Sequence, residues 1–65
     1  MNRYRVYVYF PNSGSEEVVG THVGVRERVL YVRTYQGTTS TIEEEYCFSL
    51  YNIRYWYMQK EEELR

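Results

Sequence analysis

The chain has 65 residues and a formal net charge of −1 at pH 7. A domain of this size buries only about 60% of the surface that its unfolded chain exposes, so its core is small and a further source of stability is expected. The balance of charges and a pI of about 5.8 argue against duplex nucleic acid as the main partner, because phosphate binding needs a basic surface.

Cysteine, histidine and acidic residues limit the chemistry further. Cys47 is the only cysteine, so no internal disulfide can form and a reducing, cytoplasmic location is expected. No metal and no other cofactor is expected, since His22 and Cys47 are the only soft ligands and aspartate is absent. No apolar run approaches the length of a membrane span, which predicts a soluble protein without a membrane partner. Self-association is the remaining way to supplement the core.

The first predicted strand covers residues 3–10, RYRVYVYF, along which two kinds of side chain alternate. Such alternation indicates a strand with one buried face. The side predicted to face the core holds Tyr4, Val6, Val8 and Phe10. The opposite side holds Arg3, Arg5, Tyr7 and Tyr9. Residues 11–15, PNSGS, have the composition of a loop, and a second strand is expected to begin near Glu17.

The second and third predicted strands, residues 17–25 and 29–35, form a hairpin around Glu27 and Arg28. We expect Arg26 to face Val29, because a shift of one residue would put Tyr31 among the core valines. On the core side, this register pairs Val25 with Leu30, Val23 with Val32 and Thr21 with Thr34. On the other side, it pairs Gly24 with Tyr31, His22 with Arg33 and Gly20 with Tyr35, so that two tyrosines cover strand glycines.

Two more strands complete the predicted sheet. A polar turn at residues 36–41 leads into a strand over residues 42–50, in which Glu45 is expected to face Arg33 as an opposite-charge pair. The same register places Tyr46 opposite Val32 and Phe48 opposite Leu30. A single turn of 3₁₀ type is expected at residues 50–52. The last strand is predicted with Ile53, Tyr55 and Tyr57 toward the core and with Arg54, Trp56 and Met58 outward. Residues 1–59 then form one domain, and residues 60–65 form a charged tail that is too short to hold a helix.

Five strands with short connections predict an all-β fold, a five-stranded antiparallel meander that forms a small barrel or a strongly twisted sheet. The order of elements, with a one-turn break before the last strand in FSLYNIRYWY, residues 48–57, resembles small barrels of the Src-homology type. The compact arrangement of strands and turns and the same closing segment are also similar to small phage-encoded proteins of accessory or inhibitory role. These resemblances imply a non-enzymatic binding protein.

Catalysis has little support in the sequence. Acid–base or nucleophilic chemistry needs complementary groups that converge, and the chain has one histidine and one cysteine. We expect His22 to be a surface residue near Arg33 and Cys47 to be an inert strand residue. The four glycines match no nucleotide-binding fingerprint, and the glutamate runs at residues 43–45 and 61–63 are expected to be solvated charge. No catalytic residue and no metal site is predicted.

A surface of tyrosine and arginine is the candidate binding site, because nine Tyr, two Phe and one Trp exceed what so short a core can enclose. The predicted site residues are Arg5, Tyr7, Tyr9, Tyr31, Arg33, Tyr35, Arg54 and Trp56. These residue types are enriched in protein interfaces, which favours a non-enzymatic module that forms a homodimer or higher oligomer and holds or inhibits another protein. The same side chains could stack bases and bind phosphates, so a small nucleotide or single-stranded nucleic acid is the alternative ligand. In a closed barrel or a two-layer dimer, they would only cover the sheet.

Overall fold

The computed structural model describes residues 3–36 and 41–61. The strands are β1 (Arg3–Tyr9), β2 (Ser15–Gly20), β3 (His22–Arg26), β4 (Val29–Tyr35), β5 (Ile42–Ser49) and β6 (Tyr55–Glu61). A 3₁₀ turn over Leu50–Asn52 connects the last two strands, as predicted. Most of the polar turn expected at residues 36–41 lies outside the described residues. Within the described ranges, no helix is long and apolar enough to cross a membrane.

The strands form two antiparallel three-stranded sheets, ordered β2-β1-β6 (the first sheet) and β3-β4-β5 (the second sheet). The prediction of an all-β antiparallel fold is confirmed, but the predicted five-stranded meander is wrong. Six strands are present, and β1 lies between β2 and β6 because the two ends of the described chain pair with each other. No closed barrel forms among the described strands, since β5 and β6 each have only one neighbour.

The core lies between the inner faces of the two sheets. Its buried residues are Val6, Val8, Val18, Leu30 and Val32. The first three belong to the first sheet and the other two to the second, so each sheet covers the apolar face of the other. Partly buried side chains pack around this centre, and the rings of Phe10 and Phe48 meet there at a centroid distance of 6.3 Å. With so few fully buried residues, most of the other side chains meet solvent on at least one side.

The predicted β3–β4 hairpin is confirmed over the length of β3, with Val25 opposite Leu30 and Val23 opposite Val32. The turn residues Glu27 and Arg28 have φ angles of 53° and 64°, which is the left-handed geometry that a two-residue hairpin of type I′ requires. Neither residue favours this region, so packing of the strands, and not turn propensity, fixes the hairpin. The expected pairing of β4 with β5 is confirmed too, up to a bulge at Thr34 and Tyr35.

A bend at Thr21 divides the predicted second strand into β2 and β3, and it changes which side chains face the core. Before the bend, Gly20 lies inward, opposite to the prediction, with Val18 on the same side and Val19 on the outer side. Gly20 pairs with Tyr4 of β1 and not with Tyr35. A Cβ on Gly20 would lie 2.7 Å from Val32 Cγ1 and 2.8 Å from the carbonyl oxygen of Arg33. The corner between the two sheets therefore requires a residue without a side chain.

A second bend, at Arg54, reverses the predicted faces of the last strand. Ile53 packs against the core, but so does Trp56, three residues later. Because Trp56 pairs with Val8, it lies on the core side, and Tyr55 and Tyr57 lie outward. The prediction of an outward Trp56 is therefore wrong. Strand β6 also continues through Lys60 and Glu61, which were assigned to the charged tail.

Candidate interaction surfaces

The predicted tyrosine and arginine surface is divided between two outer faces. Arg5, Tyr7 and Tyr9 lie on the outer face of the first sheet, as their alternation with Val6 and Val8 requires. Tyr31, Arg33 and Tyr35 lie on the outer face of the second sheet. Since the inner faces of the two sheets pack together, these two groups point away from each other. Arg54 is exposed at its bend, and Trp56 packs against the core.

Four stacked tyrosines dominate the outer face of the first sheet, and we call them the tyrosine array. Their rings follow one another in the order Tyr55, Tyr9, Tyr57 and Tyr7, alternating between β6 and β1. Successive ring centroids are 4.6, 6.1 and 4.8 Å apart, and the interplanar angles are 14°, 15° and 21°. The array arises because β1 and β6 pair antiparallel, which sets Tyr9 opposite Tyr55 and Tyr7 opposite Tyr57.

The rings of the tyrosine array are stacked on one another and are also accessible to solvent. Tyr55 is 50% and Tyr57 is 42% exposed, while Tyr7 and Tyr9 are half-buried. Hydrogen bonding to Tyr57, with a further contribution from burial, raises the pKa of Tyr9 above its ordinary value of 10.0. Sequence reasoning missed Tyr55 and Tyr57 because it assigned them to the core. One signal in the sequence could have identified them: Tyr7 and Tyr9 on an outer face favour aromatic partners on the neighbouring strand.

Arg5 lies on the same face and is held between two carboxylates. Its guanidinium contacts Glu17 of β2 on one side and, through Nη2 at 3.0 Å, Glu61 of β6 on the other. Hydrogen bonds to Glu61 and Glu17 raise the pKa of Arg5 above its ordinary range. The three side chains span the whole first sheet, so the end of the array nearest Arg5 is flanked by a paired charge cluster.

The outer face of the second sheet is built around Arg33. Its guanidinium carbon lies 4.4 Å from the centre of the Tyr31 ring, and its Nε donates to Glu45, the predicted cross-strand partner. Its Nη1 is 3.5 Å from the hydroxyl oxygen of Tyr35. The Tyr31 ring lies over Gly24, where an added Cβ would meet the Tyr31 hydroxyl at 2.4 Å. The predicted covering of a strand glycine by tyrosine is thus confirmed at Gly24.

His22 and Cys47 are not brought together, since β4 lies between their strands. His22 is exposed, and its ring meets the edge of Tyr35 at a centroid distance of 4.7 Å. Its Nδ1 is 2.8 Å from the hydroxyl of Thr21. Cys47 is an exposed free thiol opposite Tyr31. Each residue has local contacts, and no nucleophile–base pair forms between them.

A cleft of about 580 Å³ lies between the loop after β1 and the 3₁₀ turn, with Phe10, Pro11 and Tyr51 in its wall. Glu16 is the one carboxylate among its described lining residues, so acid–base chemistry has no second carboxylate, histidine or cysteine there. Within residues 3–36 and 41–61, no three side chains of His, Cys, Asp or Glu come together as a potential metal site.

Comparison of the chain with protein-family models, with curated proteins and with solved structures finds no match.

Proposed function

We propose that this protein is a non-enzymatic binding module that contacts a partner protein through the outer face of its first sheet. The tyrosine array is the observation that carries this proposal. Tyrosine offers a large contact area with a polar handle, and it is enriched at the energetic centres of protein interfaces. Here four rings are already stacked on paired strands, so little side-chain freedom remains to be lost on binding.

The charges around the tyrosine array indicate what kind of surface it fits. Arg5 is already paired with Glu17 and Glu61, so that end of the face presents an ion-pair cluster with one net negative charge and no free cation at Arg5. At the opposite end lie Tyr9 and the exposed Tyr55. An interface with an aromatic centre and a charged rim matches this arrangement. The proposed partner surface is therefore apolar at its centre and polar at its edge.

The proposal includes a cytoplasmic location, which the single exposed Cys47 supports because an unpaired thiol suits a reducing compartment. We predict an accessory or inhibitory role, in which a phage-encoded chain acts on a host protein. His22 and Cys47, the described residues best suited to nucleophile and base, do not converge, so chemistry on the partner is not part of the proposal.

The alternative ligand, a nucleotide or single-stranded nucleic acid, has weaker support. Arg5 and Arg33 are the arginines beside the tyrosines of the two outer faces, and both are engaged by glutamates. In the tyrosine array, the ring faces that a base would stack on cover one another. This alternative predicts that nucleotides or oligonucleotides quench tyrosine fluorescence in a salt-dependent manner, and absence of quenching at low salt would eliminate it.

The test of the main proposal compares two surface variants in affinity capture. Tyr55→Thr/Tyr57→Thr removes the exposed half of the array with a residue that suits strands. Tyr51→Thr is the matched control, because Tyr51 is 74% exposed and lies on the 3₁₀ turn, away from the array. We expect one cellular protein to be retained by the wild type and by Tyr51→Thr but lost from the double variant.

The captured protein is then purified, and its affinity is measured by calorimetry. Loss of the two exposed rings should weaken binding at least tenfold, which corresponds to about 1.4 kcal/mol. A partner that binds the double variant and the wild type equally would contradict the proposal.

A further inference from the structure

Within the described part of the chain, the outer edge of β6 is a sheet edge with little protection over its first five residues. In the first sheet β6 pairs with β1 on one side, and none of the described strands pairs with it on the other. A strand edge presents unpaired N–H and C=O groups, which natural proteins protect with bulges, prolines or inward-pointing charges. Strand β6 has no proline and pairs with β1 without a register shift, and its inner side carries the apolar residues Trp56 and Met58, with a charge, Lys60, only near its end.

The other three outer strands, β2, β3 and β5, are better protected. Strand β2 places Glu16 on its inner side, opposite Val8, and β3 has only five residues. The pairing of β5 with β4 is interrupted by a bulge, and β5 carries consecutive carboxylates at residues 43–45. Strand β6 has no bulge, and it exposes three large side chains, since Met58 is 47%, Tyr55 50% and Tyr57 42% exposed. The contrast singles out β6 as the edge that is open to another strand.

We infer that β6 pairs antiparallel with β6 of a second copy of this chain, around a two-fold axis at Met58. The strand is aromatic in its first half and polar or charged in its second, ending in Lys60 and Glu61. Antiparallel pairing centred on Met58 sets Trp56 opposite the second copy's Lys60, and Tyr55 opposite its Glu61. Each charged half then meets an aromatic half, and a cation lies beside an indole ring.

Two other pairings of β6 are less favourable, one because like charges would meet and the other because the assembly would not close. A parallel pairing in register would set Lys60 beside the second copy's Lys60 and Glu61 beside its Glu61, and directly opposed like charges are destabilising. Pairing of β6 with β5 of a second copy would be a head-to-tail contact, which leaves a free β5 and a free β6 at the ends and leads to open chains. The symmetric β6 pair uses each edge once and closes.

The dimer goes beyond the proposed function and does not depend on it. It joins two first sheets into one six-stranded sheet, ordered β2-β1-β6-β6-β1-β2. Residues that are opposite each other across an antiparallel pair share a face, so the tyrosine arrays of both copies come to lie on the same face. The binding surface is then continuous and two-fold symmetric.

The first test measures oligomeric mass by light scattering and analytical ultracentrifugation of the wild-type chain and of Met58→Lys. Val25→Lys is the matched control, because Val25 is 49% exposed and lies on the inner side of β3. We expect the wild type and Val25→Lys to have twice the 8.0 kDa mass of the chain. Met58→Lys places two like charges at the axis and should raise the dimer dissociation constant about 100-fold or more. A wild-type monomer, or a dimer that Met58→Lys leaves unchanged, would overturn the inference.

A covalent test covers the case in which Met58→Lys does not fold. In a Cys47→Ser background, Met58→Cys brings two thiols together at the axis, where opposite residues have Cα atoms about 4.5–5.5 Å apart, within the range of a disulfide. Mild oxidation should link the chains into covalent dimers, whereas Val25→Cys in the same background should stay monomeric under denaturing conditions. Equal crosslinking of the two variants would refute the Met58-centred pair. The double variant of Tyr55 and Tyr57 also separates the two proposals, since partner binding can be lost while the dimer persists.

Discussion

Replacement of Gly20 by alanine tests the corner between the two sheets. The backbone at Gly20 is not in the left-handed region, so alanine meets no conformational obstacle, and the only obstacle is space. The new Cβ would lie 2.8 Å from the carbonyl oxygen of Arg33, a backbone atom that cannot turn aside, and 2.7 Å from Val32 Cγ1. Since Val32 is fully buried, its side chain has no free volume to enter.

The expected cost follows from these contacts. Overpacking of a core by one methyl group costs about 1–3 kcal/mol, and the lower chain entropy of unfolded alanine returns about 0.4–1 kcal/mol. With a backbone atom in the way, we expect Gly20→Ala to lower the free energy of unfolding by about 2 kcal/mol. A domain of this size has a total stability of only about 3–10 kcal/mol, so the loss is a large part of it.

Gly24→Ala is the matched control, because its Cβ would meet only the Tyr31 side chain. The Tyr31 ring can swing outward, so this variant should lie within about 0.5 kcal/mol of the wild type. Urea unfolding followed by fluorescence measures both, and a slope near 1 kcal/mol/M predicts a midpoint about 2 M lower for Gly20→Ala. Equal midpoints for the two alanine variants would refute the account of the corner.

Three further predictions concern the turn, the array and the last strand. Glu27→Asn/Arg28→Gly supplies the residues that a type I′ turn favours and should raise the free energy of unfolding by about 1 kcal/mol, or about 4–8 °C in Tm; an unchanged Tm would show that the turn is not strained. Because the raised pKa of Tyr9 means that the folded state holds the phenol proton more tightly than the unfolded chain, stability should be retained below pH 10 and fall as pH rises through the folded pKa. Urea midpoints in alkaline buffers should show a smaller fall for Tyr9→Phe, and an identical fall would contradict the role of its hydrogen bond. Because Trp56 packs against the core, Trp56→Ala should lower the free energy of unfolding by about 2 kcal/mol. The fluorescence emission maximum of wild-type Trp56 should lie at a shorter wavelength than that of free tryptophan, and an emission maximum equal to that of free tryptophan would contradict an inward indole.

The predictable parts of the fold are those in which segments close together in sequence determine the strand register. Two residues, Glu27 and Arg28, join β3 to β4, so one alignment of Val25 and Val23 with the β4 core residues satisfies the whole hairpin. The 3₁₀ turn at residues 50–52 is likewise set by its own few residues. In these segments the pattern of one short stretch contains most of the information needed to place it.

The two bends were not predictable from alternation, because a bend shifts the pattern by one residue without leaving a gap in it. Before Thr21, the adjacent Val18 and Val19 are equally apolar, so the sequence does not show which one is buried. In β6, Tyr55 and Trp56 both combine an apolar ring with a polar group and suit either side. Pairing with β1, which is distant in sequence, decides between them. The same pairing creates the tyrosine array, which is why half of the candidate site was missed.

The pairing of Arg3 with Glu61 also determines which of the two sheets can form first during synthesis. Strands β3, β4 and β5 are successive neighbours, so the second sheet can form as soon as residue 49 is free of the ribosome. Strand β1 is made before the other described strands, yet one of its edges has no partner until nearly the whole described chain has emerged. The sheet that carries the tyrosine array is thus completed after the other one, and β1 keeps an edge open to wrong partners until β6 has been made.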